Sequence, residues 1–154
     1  MSARIDEYRI SSDPSLLQFE WIIPALHSTY WAGVRSADTI QKSIRGSLCY
    51  GVYSVQTSRQ TGFARVVTDQ ATFAWLCDVV IDPSCRGAGL GKLLVSTIVA
   101  DERLAGVTFL LGTRDAHGFY ERYGFVRYKT MRRAAAPSNL AEEGAAGSQR
   151  SENL

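Results

Sequence analysis

Residues 74–100 read AWLCDVVIDPSCRGAGLGKLLVSTIVA, and this stretch predicts a strand, a glycine-rich turn and a helix, in that order. The first part is a short apolar run rich in valine and isoleucine that stops at Pro83, which is typical of a buried strand. The last part repeats apolar side chains at spacings of three and four, which places them on one face of a helix. The stretch therefore predicts a βα unit around which the rest of the chain is organised.

The turn between strand and helix has the composition of an anion-binding site. Its three glycines allow the backbone to approach a ligand and to present successive N–H groups. The start of the helix adds unsatisfied donors and the positive end of the helix dipole. We therefore expect this segment, called the glycine turn below, to hold a phosphate group. It consists of Arg86, Gly87, Ala88, Gly89, Leu90, Gly91 and Lys92.

Two familiar phosphate-binding motifs do not fit the glycine turn. The Walker-type loop requires Ser or Thr after Gly-Lys, whereas Leu93 follows Lys92 here. The dinucleotide fingerprint places two residues between its second and third glycines, whereas one residue separates Gly89 from Gly91. A plain tight turn that uses glycine for geometry alone stays an alternative.

Two motifs in the chain resemble those of the GCN5-related N-acetyltransferase (GNAT) superfamily. The pattern Arg86-x-x-Gly89-x-Gly91 after the strand resembles motif A, and residues 116–125, AHGFYERYGF, resemble a second family motif. The resemblance spans residues 50–129. It implies a single α/β domain over residues 1–133, with a mixed, mostly antiparallel sheet flanked by helices.

The resemblance also implies where acetyl-CoA, the co-substrate, would bind. Its pyrophosphate would rest on the glycine turn, and its pantetheine would pair with backbone groups of Val79, Val80 and Ile81. Thr113 stands where the family often has Asn, so the usual contact of that Asn amide is in doubt. The Thr113 hydroxyl could instead contact the pantetheine or cap the helix.

Two residues are candidates for acid–base chemistry. Tyr120 stands where the family places the tyrosine that approaches the CoA sulfur, which implies a general acid. Asp78 is predicted as the general base, because apolar neighbours partly desolvate its carboxylate and family members that act on glucosamine 6-phosphate have an acid there. The alternatives for Asp78 are a structural acid paired with Arg65 or Arg114, with water or Asp69 as the proton acceptor.

The acceptor pocket is predicted to use the segment between the first two strands, which forms one wall of the pocket in acetyltransferases of this type. The candidate substrate contacts are Tyr30, Trp31 and Arg35. The alternative is that the two aromatic side chains only seat a helix on the sheet.

These residues together predict direct acetyl transfer from acetyl-CoA to a primary amine. A small-molecule acceptor is favoured over a protein, because the chain is short and has no extended acidic insert. A protein lysine or N-terminal acetyltransferase and a non-catalytic acyl-CoA sensor remain alternatives.

The composition narrows the choice of partners and compartment. A net charge of +2 with both signs mixed favours neither nucleic acid nor a membrane surface. The spacing of Cys49, Cys77 and Cys85 does not suit a metal, so none is predicted. The start of the chain lacks a basic and then apolar leader, which favours the cytoplasm. The oligomeric state is left open, with a homodimer as one possibility. Residues 134–154 contain few apolar side chains, which predicts a flexible tail.

Overall fold

The computed structural model describes residues 4–136, which divide into two compact units after Gly112. The predicted tail from residue 137 onward lies outside the described residues. The elements of the first unit are β1 (Tyr8–Ser11), α1 (Phe19–His27), α2 (Ala37–Arg45), β2 (Leu48–Ser54), β3 (Gln60–Thr68), β4 (Phe73–Ile81), α3 (Leu90–Val99) and β5 (Thr108–Leu111). The second unit contains α4 (His117–Glu121). Within the described residues, no helix combines the length and the apolar character needed to cross a bilayer.

The five strands form one sheet in the order β1-β2-β3-β4-β5. The first three pairings are antiparallel, and β4 pairs with β5 in parallel. A parallel pair needs a crossover connection, and α3 provides it. This confirms the predicted α/β fold with a mixed, mostly antiparallel sheet.

Helices bury the centre of the sheet. Five consecutive residues of β2 are buried, so both faces of that strand are covered. Ile22 and Leu26 of α1 and Ile40 of α2 lie in one core cluster with Phe63 of β3. The buried side chains of α3 are Leu90, Leu94, Val95 and Ile98. The spacing predicts a face of Leu90, Leu93, Leu94, Thr97 and Ile98; the structure buries the first, third and last of these, leaves Leu93 and Thr97 half-buried and adds Val95.

An irregularity in the β3–β4 ladder positions one polar side chain. Phe63 pairs with Val80 and Arg65 pairs with Cys77, so β4 has one more residue than β3 over this interval. Asp78 lies in this bulge with φ 54°, a left-handed conformation that Asp tolerates better than most residues. Strict alternation would direct Asp78 away from the face shared by Arg65 and Cys77. The bulge instead lets its carboxylate reach Arg65.

The second unit corrects one prediction. The alternation over residues 125–131 predicts a final strand, but the structure has none there, and Val126 and Tyr128 are 81% and 76% exposed. A strand is stable only when a partner pairs with its backbone. Within the described part of the second unit, residues 113–136, there is no other strand to supply that pairing. Local alternation alone was therefore a misleading signal.

Candidate active site

The glycine turn adopts a conformation that requires glycine at two positions. Gly87 and Gly89 have φ values of 86° and 82°, both left-handed, and Gly89 is the N-cap of α3. A Cβ at Gly87 would meet nothing within 4 Å, and one at Gly89 would lie 3.7 Å from Ile5 Cδ1. The glycines are therefore needed for backbone conformation and not for lack of space.

The backbone of the glycine turn is open to a ligand. The N–H groups of Gly87, Gly89 and Gly91 donate to no acceptor within residues 4–136. Arg86 Nε donates to the carbonyl of Ile81 at 3.2 Å, which ties the turn to the end of β4. These donors at the start of a ten-residue helix are suited to an anion, as the sequence predicted.

The backbone of β4 is also open beyond the point where β5 leaves it. The parallel pairing runs from Phe73 to Leu76, and the described part of β5 pairs with no later residue of β4. Val79, Val80 and Ile81 lie in this later part, between Asp78 and the glycine turn. A strand edge of this kind can pair with an extended ligand.

Four side chains meet at the bulge, and they are called the Asp78 cluster below. The Asp78 carboxylate accepts from Arg35 Nη1 at 2.9 and 3.0 Å, from Arg65 Nε at 2.8 Å and from Trp31 Nε1 at 3.2 Å. Its side chain is only 1% exposed, whereas those of Arg65 and Arg35 are 12% and 30% exposed. The structure thus joins the predicted base to two predicted acceptor residues, and it bears out the pairing with Arg65.

The Asp78 cluster carries a surplus positive charge, because two guanidinium groups share one carboxylate. Burial works to lower the pKa of Arg65, but the electrostatic effect of its neighbours, the Asp78 carboxylate among them, outweighs burial, so the pKa is raised and the group stays charged. Burial raises the pKa of the Cys49 thiol to about 12 and that of the Cys77 thiol to about 11. Both thiols are therefore neutral and do not offset the surplus.

Local contacts hold Trp31 and Arg35 in place. The ring of Tyr30 meets that of Trp31 edge to face, with centroids 4.9 Å apart, and Trp31 packs against the core cluster. His27 Nε2 lies 2.7 Å from the carbonyl oxygen of Arg35. Trp31 therefore seats the segment on the core, as the alternative predicted, and also donates to Asp78, while its contact with a substrate stays a prediction.

Sequence reasoning missed two features of this site. One is Ser47, whose Oγ accepts from Arg65 Nη1 at 3.2 Å and so fixes the buried guanidinium from its other side. The other is the bulge at Asp78. No local signal in the sequence indicates either, because both depend on the register between distant segments.

Asp69, the alternative proton acceptor, is a turn residue. Its carboxylate accepts from Thr72 Oγ1 at 2.6 Å and from the backbone N–H groups of Ala71, Thr72 and Phe73. The hydrogen bond from Thr72 is the largest of the effects that lower its pKa, with the backbone bonds next. A carboxylate held in this way is a weak proton acceptor, which argues against a catalytic role.

The two remaining candidates lie in the second unit. Thr113 Oγ1 accepts from the backbone N–H of Ala116 at 2.9 Å, so Thr113 stabilises the turn before α4. Tyr120 packs edge to face with Phe119 at 5.0 Å and with Phe125 at 5.8 Å. The role of Tyr120 as the general acid stays a prediction.

The family model described as "Acetyltransferase (GNAT) domain" matches residues 46–127, which include the open part of β4, the glycine turn and α4. The chain belongs to the GNAT family of acetyltransferases. It is therefore an N-acetyltransferase, as the two motifs predicted.

Individual relatives agree with this assignment. A crystal structure of a GNAT-family protein from Xanthomonas campestris pv. campestris superposes with a TM-score of 0.79 at 40% identity, over 83% of this chain and 93% of the other. A Gibberella zeae protein named as an acetyltransferase is 32% identical over 80% of this chain and 81% of its own length. Serotonin N-acetyltransferase 2 of Oryza sativa subsp. japonica is 39% identical over 47% of this chain and 37% of its own length.

Proposed function

We propose that this GNAT enzyme transfers an acetyl group directly from acetyl-CoA to the primary amine of a small molecule. The observation that carries the proposal is the presence of two open backbone segments close together in sequence: the edge of β4 that β5 leaves uncovered after Leu76, and the glycine turn that follows β4. The Asp78 cluster adjoins this stretch, because Asp78 directly precedes Val79 on β4.

The open backbone fits an acyl-CoA in two respects. The N–H groups of Gly87, Gly89 and Gly91 would hold the pyrophosphate, and the backbone of Val79 to Ile81 would pair with the amides of the pantetheine. When bound, acetyl-CoA supplies the activated acetyl group. The chain itself needs to hold that group, hold the amine and exclude water.

The Asp78 cluster would act on the acceptor amine. An amine attacks only when it is neutral, and at neutral pH most alkyl amines are protonated. The acceptor therefore has to lose a proton before it attacks, and neither guanidinium of the Asp78 cluster can take that proton, because a guanidinium has no acceptor atom. In this proposal Asp78 is a positioning residue that holds Arg35, Arg65 and Trp31, and the proton leaves through water.

A small molecule is favoured over a protein as the acceptor. Tyr30, Trp31 and Arg35 offer side-chain contacts in a short connection between α1 and α2. The rice relative is named for acting on serotonin, which is a small primary amine. The protein acceptor remains the competing hypothesis.

The test is a panel of primary amines and lysine peptides incubated with acetyl-CoA, with free CoA and acetylated product both measured. We expect acetylated small amines, with kcat/KM well above that of every peptide. Release of CoA without acetylated product would indicate hydrolysis alone. Faster acetylation of peptides would replace the proposed acceptor class.

Tyr120→Phe tests the proposed general acid within the same assay. Loss of general-acid help typically lowers the rate about 10²–10⁴-fold, and the loss should appear in kcat while the affinity for acetyl-CoA is retained. Tyr123→Phe is the matched control, because it removes a hydroxyl three residues away. Equal effects of the two substitutions would end the assignment of Tyr120.

A further inference from the structure

We propose that the acceptor carries an anionic group, a carboxylate in the simplest case, and that Arg35 binds it. This inference rests on the proposed function, because it names the acceptor class of the same site. It is carried by the geometry and the charge of the Asp78 cluster.

Arg35 has donors to spare. Its Nη1 makes both bonds to Asp78, and its Nε and Nη2 donate to no acceptor within residues 4–136. The side chain is 30% exposed, whereas Arg65 at 12% and Asp78 at 1% lie deeper. Arg35 is therefore the accessible end of the Asp78 cluster, and its outer edge is the fork that binds a carboxylate through two parallel hydrogen bonds.

Arg35 is also held in position before any ligand arrives. Asp78 fixes Nη1, and contacts to His27 and Ala32 fix the backbone of Arg35. A guanidinium that is already oriented loses little conformational freedom on binding. This distinguishes Arg35 from exposed arginines such as Arg45 at the end of α2, whose side chain makes no hydrogen bond or ion pair within residues 4–136.

The charge of the Asp78 cluster calls for an anion. Two guanidinium groups face one carboxylate, and the neighbouring thiols of Cys49 and Cys77 are neutral. A surplus charge near the protein interior is costly unless a counter-charge compensates it. A ligand carboxylate on Arg35 would supply that counter-charge, and the acceptor class is therefore an amino acid or another amine with an anionic substituent.

The first experiment compares matched acceptors. Each amino acid is assayed against the amine that lacks its carboxylate, for example 5-hydroxytryptophan against serotonin and alanine against ethylamine. We expect the wild type to favour the carboxylated member. Arg35→Gln should reduce that preference about 10- to 100-fold, which corresponds to loss of a hydrogen bond to a charged group. Arg35→Lys keeps the charge but not the fork and should recover part of the preference, and Arg45→Gln should match the wild type.

The second experiment needs no turnover. Propionate is titrated into the ¹⁵N-labelled wild type while the indole N–H resonance of Trp31, assigned with Trp31→Phe, is followed by NMR. Trp31 donates to the carboxylate that also binds Arg35, so occupancy of Arg35 should shift this resonance in a saturable way. Propionamide should not shift it, and Arg35→Gln should abolish the response to propionate.

The two experiments separate the two proposals. If amines are acetylated without regard to their carboxylates and propionate shifts nothing, the anion site is wrong and acetyl transfer to amines stands. If no amine is acetylated but propionate still binds through Arg35, the anion site stands and the proposed acceptor chemistry fails. A preference that survives Arg35→Gln would place anion recognition elsewhere.

Discussion

The glycine turn and the Asp78 cluster are built in opposite ways. The glycine turn comes from one short segment, uses backbone N–H groups, and leaves them open at the start of α3. The Asp78 cluster draws side chains from residues 31, 35, 65 and 78 and satisfies its buried carboxylate with three donor groups. The first region presents open donors that suit an anionic ligand. The second region is organised by a buried ion-paired cluster in which the Arg35 side chain is the most exposed member.

This difference determines how each region should respond to substitution. Changing the glycine turn alters what the protein binds, because the open donors contribute little to the fold. Changing the Asp78 cluster alters the fold first, because a buried charge that loses its partner is strongly destabilising. The predictions below start with the largest expected effect.

Asp78→Asn should give the largest loss of stability. It keeps the shape of the side chain but leaves Arg35 and Arg65 without their counter-charge, and removing one partner of a buried ion pair costs about 3–5 kcal/mol. The free energy of unfolding, measured by urea denaturation, checks this. Asp69→Asn is the matched control and should cost far less, because its carboxylate lies in an exposed turn.

A second variant shows whether the cost is electrostatic. Asp78→Asn combined with Arg65→Met removes one of the two uncompensated charges and should recover part of the lost stability. If Asp78→Asn instead leaves the free energy of unfolding unchanged and lowers kcat/KM by about 10²-fold or more, Asp78 is the general base and its positioning role is wrong.

The same contrast explains what the sequence could predict. The conformation of the glycine turn could be predicted because every residue that forms it lies within residues 86–92, and glycine spacing is a local signal. Its phosphate-binding role stays a prediction. The Asp78 cluster depends on contacts between residues 43 and 47 positions apart, and on a bulge that turns Asp78 toward Arg65. The strand over residues 125–131 failed for a related reason, since alternation cannot show whether a partner strand exists.

Gly89→Ala should weaken acetyl-CoA binding, and Gly106→Ala should not. The two glycines have φ values of 82° and 78°, and neither has a neighbour closer than 3.7 Å to an added Cβ. Both substitutions should therefore cost a similar ~1–2 kcal/mol in backbone strain. At Gly89, a backbone that relaxes to relieve the strain would also change the direction of the N–H groups of the glycine turn. Calorimetry should therefore show that Gly89→Ala binds acetyl-CoA about tenfold or more weakly, whereas Gly106→Ala binds it as the wild type does. Equal affinities would mean that the glycine serves the turn and not the ligand.

Tyr53→Phe should have the smallest effect and the opposite sign. The glycine turn has exposed donors without partners, and the Asp78 cluster has a buried carboxylate with partners. The Tyr53 hydroxyl fits neither case, because it is buried and yet has no hydrogen-bond partner within residues 4–136. Burial raises the pKa of Tyr53 to about 12, so the buried group is the neutral hydroxyl. Removing it abolishes a desolvation cost and should stabilise the fold by about 1 kcal/mol.

Tyr50→Phe is the matched control for that prediction. Tyr50 is also 1% exposed, but its hydroxyl donates to Asp101 Oδ2 at 2.7 Å, so its loss should destabilise the fold and lower the melting temperature. Opposite shifts of melting temperature would establish that pairing, and not burial, decides the value of a hydroxyl in this core. If Tyr53→Phe also lowers the melting temperature, an ordered water satisfies the hydroxyl. If Tyr53→Phe leaves the melting temperature unchanged but raises KM for the acceptor, the Tyr53 hydroxyl hydrogen-bonds the substrate. Tyr53 would then resemble the glycine turn, because its polar group lacks a protein partner and is used by a ligand.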